Sequence, residues 1–395
     1  MNLVLFDEPT VRQDLLPFTF TRPVAGLRVG ILTIAEKWQR YLGLTPSFDA
    51  PEYLRKKFPL TVSTDNLWIH GALCPNPALV ARIQTLKPGE GLRQGATVLA
   101  LRTPEDEVPE VISGPMHEYT EPVTLINQVW KIFRLNGQEI RADFALITKG
   151  RTSAPITDEH TRVYQRDQIF LEEGVTIRAA LLNAENGPIY LGKNAVVQEG
   201  ALIRGPFAMG EGAHINMGAK IRGDVTLGPY CKVGGEVSNS IFIGYSNKAH
   251  DGFLGNSVIG EWCNFGADSN TSNLKNNYEN IKIWSYRKGG FADTGLMFCG
   301  LMMGDHSKCG INTMFNTGTV IGVSANVFGD GFPRTFIPSF AWGGAAGFST
   351  YQIKKALEAS AKAMERRNKQ LDDTERGILE YLFNESARER VWEKP

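Results

Sequence analysis

The chain has 395 residues, and its 42 Lys+Arg are balanced by 42 Asp+Glu, so the formal net charge is zero and the isoelectric point lies near 7. That balance gives no electrostatic reason to expect nucleic acid or an anionic membrane as partner, so any anion must be held by a local cluster. The five cysteines show no C-x-x-C spacing; they exclude a disulfide scaffold and read as free thiols in a reducing compartment.

The opening run "MNLVLFDEPT" is too short and too acidic at its end for a signal peptide. No stretch approaches the roughly 20 apolar residues of a membrane span, so a soluble, cytoplasmic protein is expected. Residues 1–165 mix strand-like runs ("LVLF", "NLWIHGAL", "GATVLALR", "FALIT") with helix-like ones ("RVGILTIAEKWQRYL", "PALVARIQTL"). The mixture predicts an α/β domain that ends near "RDQIFLEEGVTI".

From Leu191 an aliphatic residue falls on every sixth position: Leu191, Val197, Ile203, Met209, Ile215, Ile221, Leu227 and Val233. The period returns as Met297, Met303, Cys309, Phe315, Ile321 and Val327, with Ile259 and Phe265 between the two runs. Six-residue self-similarity of this length predicts a hexapeptide β-helix over residues 166–335. Each unit supplies one short strand and one corner, and three units close a triangular coil with the aliphatic pointing inward. A helix wants apolar spacings of three and four, and an ordinary sheet wants alternation; neither fits. Hexapeptide β-helices are left-handed, and their flat sides favour three copies packed side by side, so a homotrimer is expected.

Residues 336–395 open with an irregular Gly/Pro/aromatic crossing. "STYQIKKALEASAKAMERR" then puts Ile353, Leu357, Ala361 and Met364 on one helical stripe behind Ser349 and Thr350, the expected N-caps, and "DDTERGILEYLFNES" continues as a second helix. A helical tail capping the open end of the β-helix is the plain expectation; a helix that binds a partner is the alternative.

Between Ala267 and Met297 the period breaks for the polar segment "DSNTSNLKNNYENIKIWSYRKGGFADTG". Solenoids eject long loops for binding. His250 precedes this excursion by about one coil, so stacking predicts that the imidazole and the start of the excursion lie close together.

The run from 240 to 283, with the later "GDHSKCGINTMFNTGTVIG", resembles the acetyltransferase half of the bifunctional sugar-1-phosphate nucleotidyltransferase/amino-sugar-1-phosphate acetyltransferases. Members of that family carry "KAGH..Y.G"; here "KAHDGFLG" lacks one residue. The resemblance places the family's catalytic histidine on His250 and its following aromatic on Phe253, which keeps the ring and loses a hydroxyl. "CNFGAD" gives Asn264 and Ala267; "SNLKNNYENIKI" gives Asn273 and Lys282, while a second family lysine is Glu279 here. It implies acetyl-CoA as co-substrate and a small amino-sugar phosphate as acceptor, with no nucleic acid or membrane partner.

These residue types suit that chemistry. Acyl transfer from a thioester needs a neutral amine, and an imidazole with an ordinary pKa near ~6.5 can take its proton. Backbone N–H groups at the Gly266–Ala267 corner can meet a tetrahedral oxyanion. Lys282 and Arg222 are candidates for the phosphate, and Asn264 and Asn273 for sugar hydroxyls. Against this, a histidine in a β-helix turn is often a solvated corner residue, asparagines there form corner ladders, and Lys282 can be a plain loop charge. His306 and His214 read as structural.

The N-terminal half resembles nucleotidyltransferases faintly. "LVLFDEPTVRQDLLPFTFTRPVAGLRVG" keeps Arg12, "PFT" and Arg22-Pro23, but it holds no glycine before Gly26, so no backbone cradle for a triphosphate. The family lysine is Val24, and its metal-binding aspartate is Ala72. These losses argue against Mg²⁺-dependent nucleotidyl transfer and for a reduced domain that binds a sugar nucleotide or shapes assembly; no metal site is expected. Arg12, Arg22 and Arg28 are the nucleotide-binding candidates, and Mg²⁺ enters only if the domain is active. The reading is a CoA-dependent acyltransferase. Its rivals are a nucleotidyltransferase with a structural β-helix and a non-catalytic sugar-nucleotide scaffold.

Overall fold

The computed structural model describes residues 1–104 and 114–393, which fall into two compact units. The first, Met1–Leu27 with Leu32–Gln128, is α/β. Its sheet holds β1 (Asn2–Phe6), β2 (Pro46–Asp49), β3 (Asn66–His70), β4 (Gly91–Gln94), β5 (Thr97–Thr103) and β6 (Met116–Glu118) in the order β2-β1-β3-β5-β4-β6. β1 runs parallel to both β2 and β3, and β5 antiparallel to β3. Leu3, Val4, Leu5, Leu67, Trp68 and Ile69 are all buried, the unbroken apolar run of strands covered on both faces.

Local signals set the helices. α1 (Pro9–Asp14) starts where the Glu8 carboxylate accepts from the Thr10 and Val11 N–H groups. α2 (Ile34–Leu42) is opened by a Thr33/Glu36 capping box and closed by Gly43 in the left-handed region. α3 (Pro77–Gln84) is capped by Asn76.

The second unit, Arg28–Ile31 with Val129–Pro395, is built around a parallel β-solenoid beginning at Arg162–Tyr164. Its coils visit three faces in turn. The first face has nine strands, from Ile169–Leu171 to Phe336–Ile337. The second runs from Thr176–Ile177 to Ala341–Gly344, where Gly347–Thr350 closes it antiparallel. The third has six strands, from Arg162–Tyr164 to Phe253–Gly255, and Asn270–Thr271 and Met314–Phe315 form a further pair.

The six-residue aliphatics from Leu191 to Val233, together with Ile259, Phe265, Met303, Cys309, Phe315, Ile321 and Val327, form one continuous core. Met297 does not join it. The winding continues through Asn270–Thr271 before the chain leaves, and Met297 lies on the excursion's way back, 44% exposed. Within the excursion Lys282–Ser285 and Gly290–Asp293 make an antiparallel hairpin whose Trp284 stacks on Phe336 at 4.1 Å.

"FALIT" is helical, not a strand. It closes α5 (Asn136–Thr148), which follows α4 (Val129–Arg134). Ile140, Asp143 and Ile147 share the buried side at helical spacing, and Asp143 accepts from the Ile31 N–H at 2.8 Å. Both helices pack on the first face, where Thr226 donates to the Gly30 carbonyl at 2.9 Å.

The corner between the first and second faces is left-handed in coil after coil: Tyr230, Tyr245, Trp262 and His306 have φ between 53° and 61°. Their rings stack in one ladder, closest at 4.3 Å between Tyr245 and Trp262. His306 is structural, as its place in the repeat suggests.

Ser349 and Thr350 belong to the closing strand, and Gln352 precedes α6 (Ile353–Glu365); α7 (Asp373–Glu385) is capped by Asp372. At the closing end Trp392 of the tail packs against the solenoid core, stacks on Phe348 at 5.9 Å and donates its indole N–H to Thr350 at 2.9 Å. Phe383 meets Phe340 edge-on at 5.1 Å. Ala356, Leu357 and Met364 are the buried stripe of α6, and Ile378, Leu379 and Leu382 that of α7, and the two helices pack on each other.

Candidate functional site

His250 sits at the corner between the second and third faces, after the strand Asn247–Lys248 and before Phe253–Gly255. Its imidazole is exposed and meets no hydrogen-bonding partner among the described residues. The coil below is shorter at this corner. Lys232 pairs with Asn247 and Glu236 with Phe253, so four residue steps below face six steps here, and His250 and Asp251 are the added pair.

The coil above matches in length. Asn247 pairs with Asn264, and the Phe253 N–H donates to Asn270 at 2.8 Å, both offsets of seventeen residues. Ala267 therefore occupies the His250 position one coil up, about 4.8 Å along the axis. The two proposed oxyanion donors then part company. The Gly266 N–H is spent on the Cys309 carbonyl at 2.9 Å, inside the ladder. Ala267's N–H has no protein acceptor among the described residues. Gly266 serves packing instead: a Cβ there would lie 2.3 Å from the Gly310 carbonyl carbon.

Phe253 reaches over Gly255, where an added Cβ would stand 2.7 Å from its Cζ and 2.6 Å from Asn273 Nδ2. Asn273 donates to Asn256 at 2.8 Å. The ring and the amide thus converge above one glycine on the third face.

The excursion leaves from the far edge of that face, after Thr271, so the imidazole and the start of the excursion share adjacent coils but sit at opposite edges. Stacking fixes the coil and not the corner, and Phe253 spans the gap. Lys282 is exposed on the hairpin, where its carbonyl would touch a Cβ at Gly318, one coil above Asn273. Arg222 lies two coils below Gly255 and pairs with Glu236 at 3.0 Å, both well solvated. Glu279 is exposed, 3.9 Å from Lys275. Asn264 faces outward on the second face, accepting from Asn247 at 2.9 Å. The structure brings Phe253 and Asn273 together and stacks His250 under Ala267; Asn264 lies around the corner from both pairs.

Sequence reasoning missed Lys248. It fills an inward position between Val233 and Phe265, where every other coil carries an apolar residue or glycine. Its ammonium donates to the His250 carbonyl at 3.0 Å and the Gly234 carbonyl at 3.2 Å. Burial pulls it down to about 8, partly offset by Asp251. The signal was a lysine two positions before the histidine, on the inward beat of the repeat.

In the N-terminal unit Arg12 is buried and committed to protein partners. It pairs with Asp7 at 2.5 Å and donates to Tyr53 at 3.0 Å and to the carbonyls of Arg22 and Thr19. Burial pushes Asp7 up to about 6 against the pull of Arg12. Arg22 donates to the Phe18 carbonyl at 3.2 Å. Arg28, in the second unit, reaches the carbonyls of Ile31 and Ile243. Ala72, at the place of the family's metal ligand, gives its N–H to His70 Nδ1 at 3.1 Å, and burial holds that imidazole down near 4. Among the described residues no three His, Cys, Asp or Glu gather into a metal-ligating group. The five cysteines are free and buried. Among the described residues no helix is long and apolar enough to cross a membrane.

Residues 3–152 match the family model described as sugar nucleotidyl transferase. The bifunctional protein GlmU of Methanocaldococcus jannaschii is 34% identical over 94 residues, 22% of this chain and 21% of the relative. A bifunctional sugar-1-phosphate nucleotidylyltransferase/acetyltransferase of Sulfurisphaera tokodaii is 32% identical over 93 residues, 24% of this chain and 23% of the relative. The chain spans less than a quarter of the length of these curated relatives. A solved Arabidopsis UDP-N-acetylglucosamine acyltransferase covers 62% of this chain and 98% of its own at 12% identity, with a TM-score of 0.28. The matched residues 3–152 lie apart from the motifs at 240–283.

Proposed function

We propose, from the premise that residues 3–152 are of sugar nucleotidyl transferase type, that this chain is a CoA-dependent acyltransferase acting on an amino-sugar 1-phosphate. The observation that carries the reading is the stack of His250 beneath the unspent N–H of Ala267, flanked on the third face by Phe253 and Asn273.

In this reading His250 takes a proton from the acceptor's ammonium and frees the nitrogen lone pair. The nitrogen attacks the thioester carbonyl carbon, and Ala267's N–H meets the oxygen as it gains charge. Collapse breaks the C–S bond; the nitrogen releases its second proton to solvent, and the leaving thiolate takes the first back from the imidazolium. Phe253 supplies an apolar wall against the sugar ring and Asn273 a hydroxyl partner. Arg222 and Lys282 stand below and above this patch and serve the phosphate. A homotrimer would cover the exposed imidazole with a neighbouring solenoid and leave a groove for the pantetheine arm. Acetyl-CoA supplies the acyl group.

Thiol release from acetyl-CoA, assayed across amino-sugar 1-phosphates for wild type and His250→Ala, tests this. The second reading, sugar-1-phosphate nucleotidyl transfer by the first unit, is favoured by the match over residues 3–152. Pyrophosphate release from UTP or dTTP with Mg²⁺ separates the two, and a clear rate there with no thiol release overturns the acyl-transfer reading.

A further inference from the structure

Below the patch of Phe253 and Asn273 the third face is hollowed by a cavity of about 450 Å³. It crosses four neighbouring strands, Leu181–Asn183, Leu202–Arg204, Lys220–Ile221 and Glu236–Ser238, a run of about 14 Å along the axis. The register sets two outward columns of side chains on it. Leu181, Leu202, Lys220 and Glu236 are successive partners in the first. Arg204 and Arg222 follow the partners Ile203 and Ile221, so they stand one above the other in the second, about 6.5 Å across from Leu202 and Lys220.

Three cations thus share one hollow with a single carboxylate, Glu236, among the described residues that line it. That carboxylate is already engaged by Arg222 at 3.0 Å. Arg204 and Lys220 are exposed, and neither side chain has a hydrogen bond or ion pair among the described residues. Like charges on neighbouring strands cost stability, and the chain supplies no anion to these two. The lower end differs in kind: Leu202 is 48% exposed beside the half-buried Leu181, an apolar step directly under the cations. The upper end leads to the ring of Phe253, the register partner of Glu236. Guanidinium and ammonium groups suit phosphoryl oxygens, and an apolar step suits the face of a base or ribose.

We propose that this groove binds the nucleoside diphosphate part of a nucleoside diphosphate sugar. Arg204, Lys220 and Arg222 hold the diphosphate, Leu181 and Leu202 carry the nucleoside, and the sugar points up toward Phe253. The amino-sugar 1-phosphate of the proposed reaction is the upper part of such a molecule; the groove adds the second phosphate and the nucleoside. Its occupancy does not depend on acyl transfer and is read without turnover.

Calorimetric titration of the full chain at about 50 mM salt, where screening is modest, tests it with UDP-N-acetylglucosamine, UDP and N-acetylglucosamine 1-phosphate. The wild type should bind both nucleotides at least about tenfold more tightly than the sugar phosphate. Arg204→Gln/Lys220→Met should weaken both nucleotides about tenfold or more, and Leu202→Asn should weaken them several-fold, with unfolding midpoints confirming that the variants fold. His250→Ala should leave the UDP affinity unchanged. An absence of thiol release, which would sink acyl transfer, leaves these affinities as expected. No nucleotide binding by the wild type, or a sugar phosphate bound as tightly as the nucleotides, overturns the proposal. So do nucleotide affinities that neither substitution changes, an outcome that moves the nucleotide to another part of the chain.

Discussion

The Lys248 ammonium donates to the carbonyl of His250 at 3.0 Å from inside the solenoid. An apolar core position has been given to a cation, and that cation pins the corner at which the exposed imidazole stands. Burial lowers its pKa from 10.5 to about 8, so the native state binds fewer protons than the unfolded chain between these values, and stability contributed at this residue rises with pH. The unfolding free energy of wild type minus that of Lys248→Met should therefore increase by on the order of 3 kcal/mol as pH is raised from 8 to 10.5, measured by denaturant titration. A flat difference would mean that the amine is solvated.

Glu389 carries the opposite sign. Burial pushes its carboxyl up from 4.5 to about 7, against Arg388 and Arg390, and it acts on the buried phenol of Tyr286 in the excursion. The native state holds this proton more tightly, so its contribution is full below pH 4.5 and is lost as pH rises through 7. The difference between wild type and Glu389→Gln should fall by about 3 kcal/mol over that interval. Hydrogen exchange in the 282–293 hairpin of wild type should accelerate over the same range.

Gly255→Ala tests the meeting of Phe253 and Asn273. The new methyl would stand 2.6 Å from Asn273 Nδ2 and 2.7 Å from the Phe253 ring, so one of them must move. A loss of about 1–3 kcal/mol is expected, with a raised KM for the acceptor and little change for the acyl donor. Wild-type acceptor KM in this variant would detach the pair from acceptor binding.

Gly266→Ala should be harsher, because its Cβ would press at 2.3–2.4 Å on the backbone of Gly310 and Ile311 in the next coil. Backbone cannot rotate away as a side chain can, and a cost of about 3 kcal/mol or more is expected in the unfolding midpoint.

The winding was legible because one inward residue per six is a long-range pattern that neighbouring coils reinforce, from Leu191 to Val327. Two kinds of feature escaped. Corner assignment did: the excursion was read as starting beside His250, but the repeat records only the residue count and not which of three edges a break leaves from. Occupancy of polar groups did as well. Nothing in "PTVRQDLLPF" shows that the Arg12 guanidinium is spent on Asp7, and nothing in "NFGAD" shows that Gly266's N–H is spent while Ala267's is not. "FALIT" read as a strand because its residues are strand formers, but the buried spacing of Ile140, Asp143 and Ile147 comes from packing on the solenoid.

The central claim is that the imidazole at 250 takes the acceptor's proton. Thiol release from acetyl-CoA with an amino-sugar 1-phosphate, followed for wild type and His250→Ala under identical conditions, measures it directly. The account predicts acceptor-dependent release by the wild type and a fall of roughly 10²–10⁴-fold in the variant, with the unfolding midpoint unchanged. Equal rates from the two proteins, or no release by the wild type with any amino-sugar 1-phosphate, would contradict it.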